Sequence, residues 1–299
     1  MFFEIFFLFS DFNIGKTMIE NLILKTLLMV FGIGAVSGIL YDDSKLYLID
    51  DIYPNMIVYD FNNKKTTEVV LVEELQKVAV DKKNKADFES ITHTNQEIFI
   101  FGSGSAKNRN DLFVIRKKDW HVERFSIEKL YQNLAKKHQI PLEEFNIEGA
   151  VIDKNTVYLF QRGNGKRKLN GVFVFPKDYL FRKENPQNRT DFHPVHLPEK
   201  KGFQYGFSDA VLHNQQIYFT ATAEGALSTY HDGEVLGSII GLIDMKSFEV
   251  HRTEMISSDL KVEGLTVKSE NKNQIEFYLA YDNDSGEKKS EILTYVWKK

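Results

Sequence analysis

The chain has 299 residues, a formal net charge of -4, no Cys, 24 Phe, 13 Tyr and only 6 Pro. The lack of Cys excludes a disulfide framework, thiolate metal sites and a cysteine nucleophile. Lys and Arg are interspersed among Asp and Glu, so no long-range field gathers a polyanion, and nucleic acid is not an expected partner.

The first 36 residues are apolar in two short runs, Phe2 to Phe9 and Leu22 to Val36, broken by Glu4, Asp11, Lys16, Glu20 and Lys25. Neither run is long enough to span a bilayer. Lys25 ahead of an apolar segment, with Ala35-Val36-Ser37 behind it, admits a signal peptide and export. A repeat in the rest of the chain gives another account, in which the protein is cytoplasmic. On that account residues 1–17 are an N-terminal extension that could start at Met18 instead, and 18–299 form the folded domain.

The repeat opens with a polar residue, a small residue and an apolar one, runs through a short strand to a polar turn, and continues into an aliphatic and aromatic strand. Its copies begin at Ser37-Gly38-Ile39, Glu89-Ser90-Ile91, Glu148-Gly149-Ala150, Ser208-Asp209-Ala210 and Glu263-Gly264-Leu265, roughly 50 to 60 residues apart, a spacing typical of propeller blades. Alternation and β-branched or aromatic content predict four strands in each of the first four copies. The first copy gives Val36 to Tyr41, Lys45 to Ile49, Met56 to Asp60 and Thr66 to Leu71. The last gives only Val262 to Val267, Ile275 to Ala280 and Glu291 to Val296, so its outer strand is missing. The expected fold is therefore all-β: a single five-bladed propeller of four-stranded blades, closed by Leu22 to Leu28 pairing with Glu291 to Val296. Ser126 to His138 has helical spacing of Ile127, Leu130, Tyr131 and Leu134, with Ser126 as N-cap. Pro176 to Pro198 is a polar excursion within the middle blade; a sixth blade hidden there is the alternative.

Two residue sets converge on one face of such a ring, because antiparallel strands reverse direction. The strand starts place Glu89, Glu148, Asp209 and Glu263 near the axis. Carboxylates there are costly unless paired or bound. Two readings follow: the four share a hard cation such as Ca²⁺, which takes oxygen ligands, or each accepts backbone N–H bonds from the next blade and locks the ring. The loops after each second strand bring the opposite charge. Ser103, Ser105, Lys107 and Arg109 in one, and Gln161, Arg162 and Asn164 in another, combine exposed backbone N–H groups with basic side chains suited to a phosphate or carboxylate. His231, beside Asp232 in the longest of these loops, is the candidate general base; Asp232-Gly233 is equally a turn. No Gly-x-Ser-x-Gly elbow and no His-Glu-x-x-His is present.

Val36-Ser37-Gly38, Asp87-Phe88-Glu89-Ser90-Ile91 with Phe101-Gly102-Ser103-Gly104-Ser105, Asn146-Ile147-Glu148-Gly149-Ala150 with Phe160-Gln161-Arg162-Gly163-Asn164, and Tyr230 to Ser238 resemble an uncharacterised bacterial family grouped with the phytase-like and esterase-like propellers. The resemblance covers roughly Ser37 to Trp297. It implies a propeller that hydrolyses a small anionic ester or phosphoester with Ca²⁺ support, although the acidic and basic pattern of true phytases is not matched residue for residue. The other reading is a non-catalytic propeller that binds a small molecule or a protein on the same face.

Overall fold

Five stretches rich in aliphatic and aromatic residues each fold into an antiparallel meander. The computed structural model describes residues 5–6, 25–31, 36–51, 54–73, 85, 87–182, 189–225, 233–282 and 289–299. Blade one comprises Val36–Asp42, Lys45–Asp50, Asn55–Asp60 and Lys65–Val70; blade two Phe88–His93, Glu97–Gly102, Asp111–Arg116 and Val122–Ser126. Blade three comprises Ile147–Asp153, Thr156–Gln161, Gly171–Pro176 and Asp191–Pro194; blade four Gly206–His213, Gln216–Glu224, Val235–Asp244 and Val250–Ser257. Blade five takes Lys261–Glu270, Gln274–Asp282 and Lys289–Lys298 from the end of the chain, and Lys25–Phe31 from its beginning as the fourth strand. Ile5–Phe6 pairs on the outside of that strand.

The inner strands pack on one another around the whole ring, blade five against blade one included. The closing strand is antiparallel to the last, with Thr26 opposite Leu293 and Met29 opposite Glu291. Closure is as the sequence predicts, with the strand running to Phe31, past the expected end at Leu28; residues 22–24 lie outside the described part. The excursion after Pro176 forms a 3-10 turn at Lys177–Phe181 and then blade three's outer strand, so it supplies no sixth blade. A short hairpin, Glu199–Lys200 with Phe203–Gln204, leads into blade four.

Each blade interface has its own apolar core. Phe160, Phe207 and Phe219 stack edge to face between blades three and four, each burial of this kind stabilising by about 1.5 to 3 kcal/mol. The inserted helix, Glu128–Lys137, buries Leu130, Tyr131, Leu134 and Ala135 in the core between blades two and three. Its N-cap is Ile127, with no side-chain cap, rather than Ser126. Ser126 is spent as the last residue of blade two's outer strand, and the Ile127 N–H is satisfied by the Asn110 carbonyl at 2.8 Å. No helix among the described residues is long and apolar enough to cross a membrane.

Every inner strand carries a β-bulge in the same place. Register shifts between Val36 and Gly38, Phe88 and Ser90, Ile147 and Gly149, Phe207 and Asp209, and Val262 and Gly264. The extra residues are Ser37, Glu89, Glu148, Ser208 and Glu263. A bulge re-aims the side chain it inserts, and here it does so once per blade at one end of the channel.

Candidate active site

Two charged clusters occupy that end, each built from adjoining blades. In the first, Arg162, just past blade three's second strand, donates from Nη1 to Glu148 Oε1 at 3.2 Å, and from Nη2 to Glu224 Oε2 at the end of blade four's second strand. Its Nη1 also lies 3.9 Å from Glu263 of blade five. Lys261 stands 2.9 Å from Glu263 and 3.7 Å from Glu224. Asn146 donates to the same Glu148 oxygen at 2.6 Å. All of these side chains are nearly buried, Arg162 and Glu148 being about 5% and 6% exposed.

In the second cluster, Lys85 pairs with Asp51 of blade one and, at 2.8 Å, with Asp87. Arg109 donates from Nη1 to Asp87 at 2.8 Å and to Ser105 Oγ at 2.8 Å. Ser103 Oγ donates to Asp87 and stands 2.8 Å from Ser105 Oγ. Carboxylate oxygens of Asp51, Asp87 and Glu89 lie within 4.8 Å of one another.

The charge count is the same in both. Glu148, Glu224 and Glu263 face Arg162 and Lys261; Asp51, Asp87 and Glu89 face Lys85 and Arg109. Each cluster thus has one carboxylate more than its cations cancel. Proton affinity follows. Burial pushes Glu148 up to about 7, with Glu263 adding to the rise and Arg162 and Lys261 opposing it. Burial also raises Glu89 well above the usual range, with Asp87 and Glu148 reinforcing it. Glu263 is raised by burial against the pull of Lys261 and Arg162. Asp87 goes the other way, because Lys85 and Arg109 outweigh its burial. For Lys261, burial alone would lower the pKa, but Glu263 and Glu224 hold it well above its ordinary value. The mouth thus combines Asp87, held ionised, with three carboxylates, Glu89, Glu148 and Glu263, that retain a proton more readily.

In the other two blades the bulge residue is Ser, and it serves the ring. Ser37 donates to the Phe88 carbonyl of blade two, and Ser208 donates at 2.7 Å to the Val262 carbonyl of blade five, the equivalent position. Asp209 falls one residue past the bulge. Its oxygens accept the N–H groups of Ala210 and of Leu265 in the next blade, both at 2.7 Å. These bonds, with burial still raising its pKa well above the usual range, make it a blade-to-blade acceptor, which leaves it apart from Glu89, Glu148 and Glu263.

The residue range 32–296, from before the first inner strand to the last blade, matches a single family signature. The chain belongs to this family, described as a family of unknown function (DUF6929). No curated protein sequence matches it. Among solved structures it is similar to the glutaminyl cyclase of Myxococcus xanthus, with a TM-score of 0.53 and 8% identity over 93% of this chain and 97% of that one. A luciferin-regenerating enzyme gives a TM-score of 0.43 and 13% identity over 92% of this chain and 95% of that one. Hydrazine synthase of Kuenenia stuttgartiensis gives 0.43 and 13% over 84% of this chain, which spans only 57% of that one. What the chain shares with the glutaminyl cyclase at that identity is the fold.

The residues expected at the mouth have different partners from those the sequence suggested. Arg109 and Arg162 are ion-paired to carboxylates in the clusters. Gln161 is buried, its Nε2 donating to the carbonyls of Glu144 and Arg162 and its Oε1 accepting the Asn146 N–H. Lys107 is exposed, Ser105 and Asn164 are half-buried, and Ser103 is buried. His231 and Asp232 lie outside the described residues. Sequence reasoning missed Lys85, Asp87, Asn146 and Lys261, although each stands two or four residues before a bulge Glu, the alternation of a strand that carries one face on to the axis. It placed Asp51 and Glu224 on the converging face, in the loops after each second strand, but assigned them no role in the site.

Proposed function

We propose that the chain is a small-molecule enzyme whose working site is the charged end of its channel, and that the reaction is hydrolysis of a small anionic ester or phosphoester. The observation that carries this is Glu148: a nearly buried carboxyl, fixed by Asn146 and Arg162, whose pKa of about 7 suits a group that must both give and take a proton at neutral pH. Arg162 and Lys261 keep Glu224 and Glu263 within the cluster and orient the carboxyl. Exposed Lys107, Lys166 and Arg167 on loops of the same face attract an anionic substrate.

A divalent cation such as Ca²⁺ fits one part of this site. Asp51, Asp87 and Glu89 offer three oxygens at suitable spacing, a hard donor set, with Lys85 as the resident cation that a metal would displace. Asp209 does not fit, since both its oxygens are already engaged by N–H groups. When bound, a cation there would polarise the ester and acidify a water.

The test is a panel of p-nitrophenyl acetate, butyrate and phosphate, with Ca²⁺ or EDTA, from pH 5 to 9. Turnover with a limb near pH 7, lost about 100- to 10,000-fold in Glu148→Gln, supports the reading. Absence of turnover combined with ligand-induced thermal shifts would leave a binding propeller; turnover unaffected by Glu148→Gln would remove Glu148 from the chemistry.

A further inference from the structure

Next to Arg162 the hydrogen bonding is incomplete in a patterned way. A guanidinium and a carboxylate commonly meet through two parallel bonds. Arg162 and Glu224 make one of them, Nη2 to Oε2. The other pair of atoms, Arg162 Nε and Glu224 Oε1, are both buried and have no hydrogen-bond partner among the described residues, with Lys261 Nζ 3.7 Å from Oε1. Asn164 Oδ1 and Gln204 Oε1 are buried and unpartnered as well. All four side chains line one cavity of about 10 Å³, roughly the room a single water requires. Four side chains around one such space, each with an orphaned polar atom, form a pattern that buried polar groups avoid unless something occupies it.

The chemistry of the lining selects the occupant. Arg162 Nε–H must donate, which excludes a bare cation. Glu224 Oε1 must accept, which excludes an anion. Those two roles are fixed, and Gln204 Oε1 is also an acceptor because its Nε2 donates to the Leu197 carbonyl at 3.4 Å, whereas the amide of Asn164 serves in either orientation. An occupant of this size that accepts one bond and donates another is an O–H group. The backbone has made room for Arg162 to face it: a Cβ on Gly206 would lie 2.8 Å from Arg162 Cγ and 3.4 Å from Nε.

We propose that this cavity is a hydroxyl seat, holding a water in the resting protein and, in the complex, a hydroxyl group of the ligand that displaces it. The inference rests on the reading of the mouth as the ligand site and adds that the ligand is an alcohol, polyol or sugar derivative. The same guanidinium contacts Glu148 through Nη1 and the seat through Nε, so a hydroxyl docked here registers the rest of the ligand against the proton-carrying carboxyl.

The experiment is a high-resolution structure of the full chain alone, after soaking in glycerol, and after soaking in dimethyl sulfoxide, which accepts hydrogen bonds but donates none. We expect a water bonded to both Arg162 Nε and Glu224 Oε1, its replacement by a glycerol oxygen, and no replacement by dimethyl sulfoxide. An empty seat, or Nε bonded directly to Oε1, overturns the proposal; a water that glycerol never displaces overturns the ligand half and leaves a structural solvent site. In solution, Gln204→Leu should weaken glycerol binding about 2- to 10-fold, the effect of one lost hydrogen bond, and an unchanged affinity counts against the seat. None of these readouts uses turnover. Glycerol in the seat without any hydrolysis would sink the enzyme reading alone, and hydrolysis with the seat empty would sink this one alone.

Discussion

Replacing Glu148 by Gln separates an electrostatic role from a structural one through the pH dependence of stability. The carboxyl has a folded pKa of about 7 against an ordinary value of 4.5, so the folded protein binds this proton more tightly than the unfolded chain. The stabilisation from that proton is fully present below about pH 4.5 and is lost as pH rises through about 7. The full gap is worth about 3 kcal/mol, at about 1.4 kcal/mol per pKa unit. Gln has the shape of the protonated acid and no proton to lose, and its oxygen still accepts from Asn146 and Arg162. Between pH 5 and pH 8 the Gln variant should therefore gain about 2 kcal/mol on the wild type. Urea denaturation of both proteins at pH 5, 6, 7 and 8 reads the difference directly. Parallel profiles, with the variant less stable throughout by about 1 to 3 kcal/mol, would show that Glu148 acts as an ionised acceptor in a charge-assisted bond at every pH, and the reasoning would fail.

Asp209→Asn should destabilise by about 1 to 3 kcal/mol, since an amide cannot accept from Ala210 and Leu265 at once; an unchanged urea midpoint would refute the blade lock. Lys85→Gln removes the ammonium that pairs with Asp51 and Asp87, so the thermal shift produced by millimolar Ca²⁺, and reversed by EDTA, should be larger in the variant than in the wild type. The same absence of shift in both proteins would dispose of the cation site. A chain beginning at Ser37 lacks the strand Lys25–Phe31 and exposes the edge of Lys289–Lys298; it should aggregate or melt well below the full chain, and an identical melt would contradict closure by that strand.

The ring was legible in the sequence because each blade repeats its own period and its two inner strands are the most apolar. The closing strand and its partner were legible as segments, while the register between them was not read from the sequence. Apolar content marks where a strand can form, whereas its alignment on Lys289–Lys298 is set by pairing across the ends of the chain, with a bulge between Thr26 and Leu28. The helix cap was misread because Ser126 has a local reason to cap and a competing reason to finish a ladder with Asp111, and the ladder won. At the mouth, the bulge residues were visible as recurring polar strand starts. The bulge itself was not, and without it Asp209 counted as one of the ring of acids although it stands one residue out of phase with Glu89, Glu148 and Glu263.

The departures from the repeat explain the clusters better than the repeat does. Blades two, three and five put Glu at the bulge; blades one and four put Ser there and supply a carboxylate from the second strand instead, Asp51 and Glu224. In blade four the exchange accompanies a crowded crossing. Arg162 crosses from blade three over the start of blade four to come within 3.9 Å of Glu263 on blade five, and Gly206 beneath it has no room for a Cβ. A Glu at position 208 would bring another buried carboxylate to the end of a ring whose cluster already has one to spare. The chain thus gives up its repeat in the blades where a basic residue must bridge its neighbours, and the bridge depends on three blades that meet only when the ring is closed. That is why Glu224 and Asp51 could not be assigned from their own stretches of sequence.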